Sequence, residues 1–354
     1  VSLSSKMESI PYCAFSQCIN LKKVDGINKV RLIDSYAFSS CEKLENISFP
    51  ASLEEICSYA FLQCRKLGKV VIPKNTEKIG GSAFEEAASS FEVKAGNPNY
   101  SAREGLLLNE TETYLVQAPA KSKGTLHMPD TVKNIRRDAF KGSEYRAIYL
   151  SQAVTTVYRT WFENCKYLET LVLPDQTQKI DGESYYKDQM KNLKQIRISR
   201  KNEMYCSRQG VIYTKDRREM VFFPSGKRGS ITLPGACKYI GSQMSYNRLS
   251  SIKVAEANKY FRETDGVLYN LAGTSVRAFP FAKTSYKLPA KCKNVDFLKN
   301  KKENLRCRKI SVSSKNTKYY AKAGVLFTKE NDELVYYPPA KKGAYTVPKS
   351  TTKI

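Results

Sequence analysis

Apolar residues alternate with polar ones in short bursts along this chain, and the bursts return every 23 residues. Ile47/Phe49 and Val70/Ile72 each skip one position, and each pair is followed at once by a proline, Pro50 or Pro73. A two-residue period is that of a strand with one buried face, and a proline ends the ladder because it has no N–H to donate. After the proline come Leu53 and Ile56 in one unit and Ile79 in the next, and then an Ala-Phe pair. Ala14-Phe15, Ala37-Phe38, Ala60-Phe61 and Ala83-Phe84 keep the 23-residue spacing, and Cys18, Cys41 and Cys64 follow the first three in register. A fixed period of this length marks a solenoid, because one such unit cannot bury its apolar face alone. Each unit is expected to supply a short strand, a turn, and an Ala-Phe segment forming a helical or 3-10 turn against the opposite wall.

Weaker copies run through Ala139-Phe140 and Trp161-Phe162, the latter with Cys165, Leu168, Leu171, Leu173 and Pro174 in register, and Tyr185-Tyr186 is the last substitute for the pair. A second, longer unit occurs four times. Asn97, Asn202, Asn258 and Asn316 each precede an aromatic residue (Tyr100, Tyr205, Phe261, Tyr319), then a glycine (Gly105, Gly210, Gly266, Gly324), then a proline (Pro119, Pro224, Pro280, Pro338). Between glycine and proline lie two apolar runs, such as Val211-Ile212-Tyr213 and Met220-Val221-Phe222-Phe223, which read as an inserted β-hairpin. The glycines supply its tight turn.

Aligning both forms places strand centres at Ser2, Asp25, Ser48, Val71, Glu92, His127, Tyr149, Val172, Arg197, Thr232, Lys253, Lys287, Ser311 and Thr346. The expected architecture is one array over 1–354 with a single parallel sheet of about 14 short strands. Short units dominate 1–96 and 126–200, and hairpin-bearing inserts occupy 97–125, 202–230, 258–285 and 316–344. Val1 falls where Ile47 falls, and Ile354 where Ile56 and Ile79 fall. Both ends therefore cut a repeat, and the natural protein is expected to extend beyond one or both termini, since solenoids normally carry polar caps.

Charge changes the picture of partners more than of fold. Lys and Arg number 59 against 34 Asp and Glu, a formal charge of +25 that draws in polyanions at long range. No nucleic-acid-binding motif accompanies it, so a specific nucleic-acid partner is not expected. No run of 18 apolar residues exists to span a membrane, and the first residues lack the pattern of a signal peptide.

Three phrases carry a family resemblance: Ile79-Gly80-Gly81-Ser82-Ala83-Phe84, Ser58-Tyr59-Ala60-Phe61-Leu62-Gln63-Cys64 and Asp265-Gly266-Val267-Leu268-Tyr269. They resemble the BspA-like leucine-rich repeats of bacterial surface proteins, and the resemblance covers almost the whole chain. It implies a right-handed leucine-rich repeat solenoid, β-rich with short helical or 3-10 turns, secreted or surface-anchored, in a family associated with adhesion to host proteins or other cells. It brings no catalytic motif and no cofactor. The chain departs from it at Gln243-Met244-Ser245 and Asp296-Phe297-Leu298, where an Ala-Phe segment is expected.

Little in the sequence points to chemistry. Cys18, Cys41, Cys64 and Cys165 share one repeated position, and Cys237 and Cys292 share another, so they are expected to stack inside as small hydrophobes. Without a Cys-x-x-Cys pair no zinc site is expected. A disulfide among Cys13, Cys57, Cys206 and Cys307 stays open in an oxidising compartment. His127, the single histidine, faces outward at a strand centre with no evident nucleophile beside it.

The outward row is asymmetric. Early centres carry Ser48, Val71 and Glu92, later ones Arg197, Lys253 and Lys287, with Lys194 and Lys309 alongside; residues 291 to 311 hold eight cations and two acids, Asp296 and Glu303. The expected function is a non-enzymatic extracellular or cell-surface binding protein that uses the solenoid surface to hold a host or neighbouring-cell protein. Tyr149, Lys194, Arg197, Lys253, Lys287 and Lys309 are the candidate contacts. Capture of acidic glycans by the basic later repeats is one alternative, and a structural stalk presenting another domain is the other.

Overall fold

The computed structural model describes residues 1–181, 190–241, 244, 247–299 and 306–354. Tyr185-Tyr186, Gln243, Ser245, Lys301, Lys302 and Glu303 lie outside them. The chain is a β-solenoid divided into two compact units, one of Val1–Asn192 with Ile198–Asn202, the other of Leu193–Arg197 with Glu203–Ile354.

In the first unit two rows of parallel strands run through the repeats. The expected row contains Lys69–Ile72 beside Ser90–Val93, and Gly124–His127 beside Tyr145–Tyr149 and Thr170–Leu173. A second row, two residues wide, pairs Ser9–Ile10, Leu32–Ile33, Glu55–Ile56 and Lys78–Ile79 in order. Its isoleucines are all buried, Ile10, Ile33 and Ile56 completely. Behind them Phe15, Phe38, Phe61 and Phe84 stack with ring centroids 5.2, 5.2 and 5.3 Å apart. Such contacts are worth about 0.5–1.5 kcal/mol each beyond the burial of the rings.

The Ala-Phe segments are tandem β-turns where a helical or 3-10 turn was expected. In the second repeat Ala37, Ser39 and Cys41 donate to the carbonyls of Asp34, Tyr36 and Phe38, closing three overlapping turns, while Tyr36 and Ser40 sit at φ 58° and 60°. A helix would spend its N–H groups on its own preceding turn. Here alternate groups stay free to bond between repeats: Phe38 donates to the Ala60 carbonyl at 2.8 Å and Ser40 to that of Leu62 at 2.7 Å. Those cross-repeat bonds offset left-handed residues that cost about 1 kcal/mol or more each. The 3-10 helix Arg159–Phe162 has the expected geometry.

The cysteine column forms as expected at Cys41, Cys64 and Cys165, all fully buried. Each thiol donates to the carbonyl of a phenylalanine one repeat back, Phe15, Phe38 and Phe140 respectively, at 3.1 to 3.2 Å. Cys18, at the first of the stacked turns, is exposed. All ten cysteines are free thiols, including Cys13, Cys57, Cys206 and Cys307.

The inserts are three-stranded meanders rather than two-stranded hairpins. Tyr205–Arg208, Val211–Thr214 and Glu219–Phe222 pair antiparallel in sequence order, and the same arrangement recurs at Tyr100–Gln117, Phe261–Ala278 and Tyr319–Tyr336. The first turn of each has both central residues at positive φ, as at Asp265 (52°) and Gly266 (72°). This is the type I′ turn whose twist suits a hairpin, and it explains the fixed glycine. The asparagine in front is buried and fully used. Asn97, Asn258 and Asn316 each donate two hydrogens to carbonyls of the preceding rung and accept two backbone N–H groups of their own turn. Asn202 makes the same pair of donations, to Asp175 and Thr177.

In the second unit Arg228–Leu233 pairs with Arg248–Val254, and Ser285–Leu288 with Lys309–Val312. A short helix, Asp296–Lys299, stands where an Ala-Phe segment was expected, with Leu298 buried. The strand centres thus belong to a series of short parallel sheets, and the single 14-stranded sheet does not form. The meanders divide it: the first-row N–H of Phe91, Ile196, Ile252 and Ile310 each ends on the carbonyl of the meander glycine, Gly105, Gly210, Gly266 or Gly324. Ser48 and Thr346 carry neither strand nor bridge.

Candidate functional site

The outward residues of the strand row are side chains that the two-residue period turns away from the core, and the structure places them in different surroundings. Tyr149 lies in the first unit opposite His127, and their rings stack at 4.4 Å with 20° between planes. The exposed histidine therefore has an aromatic partner that sequence reading did not give it. Arg197 is exposed on Gln195–Ile198 and folds back on its own strand, where its guanidinium donates twice to Gln195 Oε1 at 3.1 and 3.0 Å. Lys194, next to that strand, is exposed as well.

Lys253 stands beside Thr232, Lys287 beside Ser311, and Lys309 beside Ser285. No two of these lysines are direct cross-strand partners, and Lys253 belongs to a different sheet from Lys287 and Lys309. The meander turn at Asp265-Gly266 takes the ladder position after the strand of Lys253, so the basic row is interrupted by the inserts that the sequence revealed.

Lys309 borders a cavity. It has about 660 Å³ and is formed by the last parallel pair and the last meander, with Arg308, Lys329, Lys341 and Lys342 as its other cations. No carboxylate stands in its wall, and none of the five cations forms an ion pair among the described residues. Lys341 donates to the Ala323 carbonyl at 2.7 Å, which ties the wall to the meander turn. Tyr320 supplies a half-buried ring, stacked on Phe327 at 5.3 Å and bonded through its hydroxyl to Asp332 at 2.8 Å. Burial first, then the Asp332 carboxylate, pushes that phenol up to about 12, so it remains a neutral donor.

A cavity of about 620 Å³ in the first unit makes the contrast. Its Arg136 is bound to Asp138 at 2.9 Å, Asp138 also accepts the Ser82 N–H, and Lys141 pairs with the buried Glu85 at 3.0 Å. Those charges serve the fold. Elsewhere in this unit, cross-repeat neighbours of opposite sign are paired at the repeat spacing, as in Arg31–Glu54 and Lys69–Glu92. Reading charges at the 23-residue interval would have found these pairs. It would not have found the unpaired cations of the last cavity, which come from a strand, a meander turn and a following loop.

The buried thiols are not poised as nucleophiles. Burial raises Cys41, Cys237, Cys292 and Cys307 to about 11 and Cys165 to about 12, which keeps them protonated and unreactive. Among the described residues no group of three or more His, Cys, Asp or Glu could hold a metal ion. No described helix is long and apolar enough to cross a membrane.

The model of the BspA type leucine-rich repeat region matches residues 1–104 and 120–208, in six copies. Among solved structures, a leucine-rich repeat protein from Eubacterium ventriosum is 21% identical over 75% of both chains, with a TM-score of 0.52, and shares the fold. A leucine-rich cell surface protein from Faecalibacterium prausnitzii is 18% identical over 70% of both chains with a TM-score of 0.39. The pneumococcal vaccine antigen PcpA is 19% identical over 88% of this chain and 78% of its own, with a TM-score of 0.43. No curated protein sequence matches the chain. Six repeats matched over more than half the length, on a solenoid with the stacked Ala-Phe turns described above, establish that the chain belongs to the BspA-type leucine-rich repeat family.

Proposed function

We propose that this chain is a non-enzymatic adhesion protein of the cell surface, and that its last meander holds an acidic face of a host or neighbouring-cell protein. The observation that carries the reading is the wall of five cations around Lys309 without a carboxylate. Family membership supports it, because leucine-rich repeat proteins work through binding surfaces. A uniformly positive concavity raises the on-rate of an acidic partner and rejects basic ones.

Lys309→Glu combined with Lys329→Glu tests it, on a panel of acidic extracellular proteins and intact cells. Binding should fall at least tenfold, and wild-type binding should weaken steadily between low and high salt as screening shortens the field. Binding that is indifferent to both the substitutions and salt rejects the reading. The Tyr320 ring in the same wall favours a second one, capture of an acidic glycan, since a sugar face can lie on an aromatic ring while lysines hold its anions. A glycan array probed with the same variant separates the two.

A further inference from the structure

We infer that Arg228, Arg248 and Arg306 form a receptor site for a single tetrahedral oxoanion, a sulfate or phosphate group, distinct from the cavity at the last meander. The three arginines border a small cleft of about 290 Å³ in the second unit, with Gly229, Ser250, Phe281 and Ala282 completing it. No carboxylate stands in that wall, and none of the three makes an ion pair among the described residues.

The cluster is built against its own repulsion. Arg228 lies directly opposite Arg248 in the parallel pair, and like charges so placed are destabilising. A guanidinium cannot escape by losing its proton, as a lysine can. The register comes from a bulge at Gly229/Ser230, and Gly229 adopts φ +77°, which suits glycine. The same bulge occurs at Gly124/Thr125 in the first unit, where Gly124 opposes Tyr145. In sequence Lys123 and Glu144 stand there where Arg228 and Arg248 stand here, so the first copy carries one charge of each sign and the second carries two positive charges.

The floor of the cleft is fixed in advance. Asn247, fully buried, donates to the Phe279 carbonyl at 2.8 Å and accepts the N–H groups of Leu249 and Phe281. Ala282 donates to the Leu249 carbonyl at 2.9 Å and Arg306 to that of Phe281 at 3.1 Å. The backbones carrying Arg248 and Arg306 are thus tied to one short segment, and Ser250 Oγ holds the Gly229 carbonyl at 3.0 Å. Three planar forks on a fixed floor suit an anion with several oxygens, each taking two donors. The one aromatic residue of its wall, Phe281, is buried, so the cleft offers charge and hydrogen bonds rather than a face for stacking.

The test is the melting temperature of the full chain titrated with sodium sulfate and with sodium phosphate, 0 to about 5 mM at constant ionic strength in chloride. This range stays well below the concentrations at which sulfate stabilises proteins by exclusion. A saturable rise is expected, with anion affinity at least tenfold weaker in Arg248→Gln with Arg306→Gln and unchanged in Lys309→Gln with Lys329→Gln. Without the anion, Arg248→Gln should melt no lower than the parent, since it removes repulsion. The exposed Arg228→Gln gives a second readout if the double variant folds poorly. Retention on a sulfated polysaccharide but not on its desulfated form, lost in the variant, supports the site and identifies the group as a glycan ester. A response to the free ions without such retention supports the site for the free anion. No saturable rise, or an equal rise in the arginine variants, overturns it. Loss of anion binding in the arginine variants leaves adhesion through Lys309 intact, so the two readings fail separately.

Discussion

Asn258 donates to the Pro234 carbonyl at 2.8 Å, reaching back 24 residues to fasten the end of one strand to the start of the meander that follows. The same side chain also donates to Cys237 and accepts from Tyr260 and Phe261, so all four of its hydrogen-bonding positions are filled inside the protein. Replacing it by leucine leaves three backbone groups unpaired, the Cys237 carbonyl and the N–H groups of Tyr260 and Phe261, while the Pro234 carbonyl keeps the Cys237 N–H. A loss of about 3 kcal/mol in urea unfolding is expected, from roughly 1 kcal/mol for each group left unpaired. Asn258→Asp sharpens the test: an ionised carboxylate would face two carbonyls, whereas its protonated form regains one donor. The aspartate variant should therefore gain stability relative to the parent as pH falls, and a constant deficit from pH 7 to pH 4 would contradict the assigned role.

Thiol labelling should follow burial. Cys18 is exposed, whereas Cys41, Cys64, Cys165, Cys237, Cys292 and Cys307 are buried. In the native protein at pH 8, a disulfide-exchange reagent should modify Cys18 first and leave these six untouched until the chain unfolds. Peptide mapping of the labelled protein reads the order directly. Early labelling at Cys64 would mean that the stacked turns do not hold the column shut.

The same groups make stability sensitive to alkali. Cys41, Cys237, Cys292 and Cys307 are raised by burial to about 11 from an ordinary value of 9.0, so folding favours their protonated form. Their contribution is complete below pH 9 and is lost as pH climbs through 11, because the unfolded chain releases those protons first. Thermal melts should be level from pH 7 to pH 8.5 and then fall steeply. Cys41→Ala with Cys292→Ala should make that fall shallower; an unchanged slope counts against the thiols as its source.

Tyr269 fills the core of the third meander with its hydroxyl buried and unpartnered in the protein. The corresponding position of the fourth meander is Phe327, fully buried without that oxygen. Tyr269→Phe removes a polar atom that was desolvated without return, so the variant should be as stable as the parent or up to about 1 kcal/mol more stable. A clear loss in calorimetry would reveal a partner for the hydroxyl, such as an internal water.

Much of the architecture was legible because it is apolar and periodic. Phe38, Phe61 and Phe84 recur at one interval, and an interval can be read from letters alone. The second strand row escaped because Ile33 and Ile56 each offer one inward side chain in a strand of two residues, too short to show alternation. The tandem turns escaped for a different reason. Ala-Phe-x-x-Cys suits a single helical turn equally well, and what decides the matter is the backbone of the next repeat offering bonds to Phe38 and Ser40. At the surface, Lys309 could be named because it follows the strand pattern. Arg228 and Arg248 could not be grouped, because the bulge at Gly229 shifts one against the other and hides their alignment from any fixed spacing.

The glycine carbonyls that terminate the short ladders bear on how such a chain is made. A parallel sheet that waited for its last rung would hold an open edge throughout synthesis, and open edges recruit other chains. With Gly105, Gly210, Gly266 and Gly324 each closing the strand before it, the nascent polypeptide can complete one stretch before the next emerges. Each meander is then a place where assembly can pause safely.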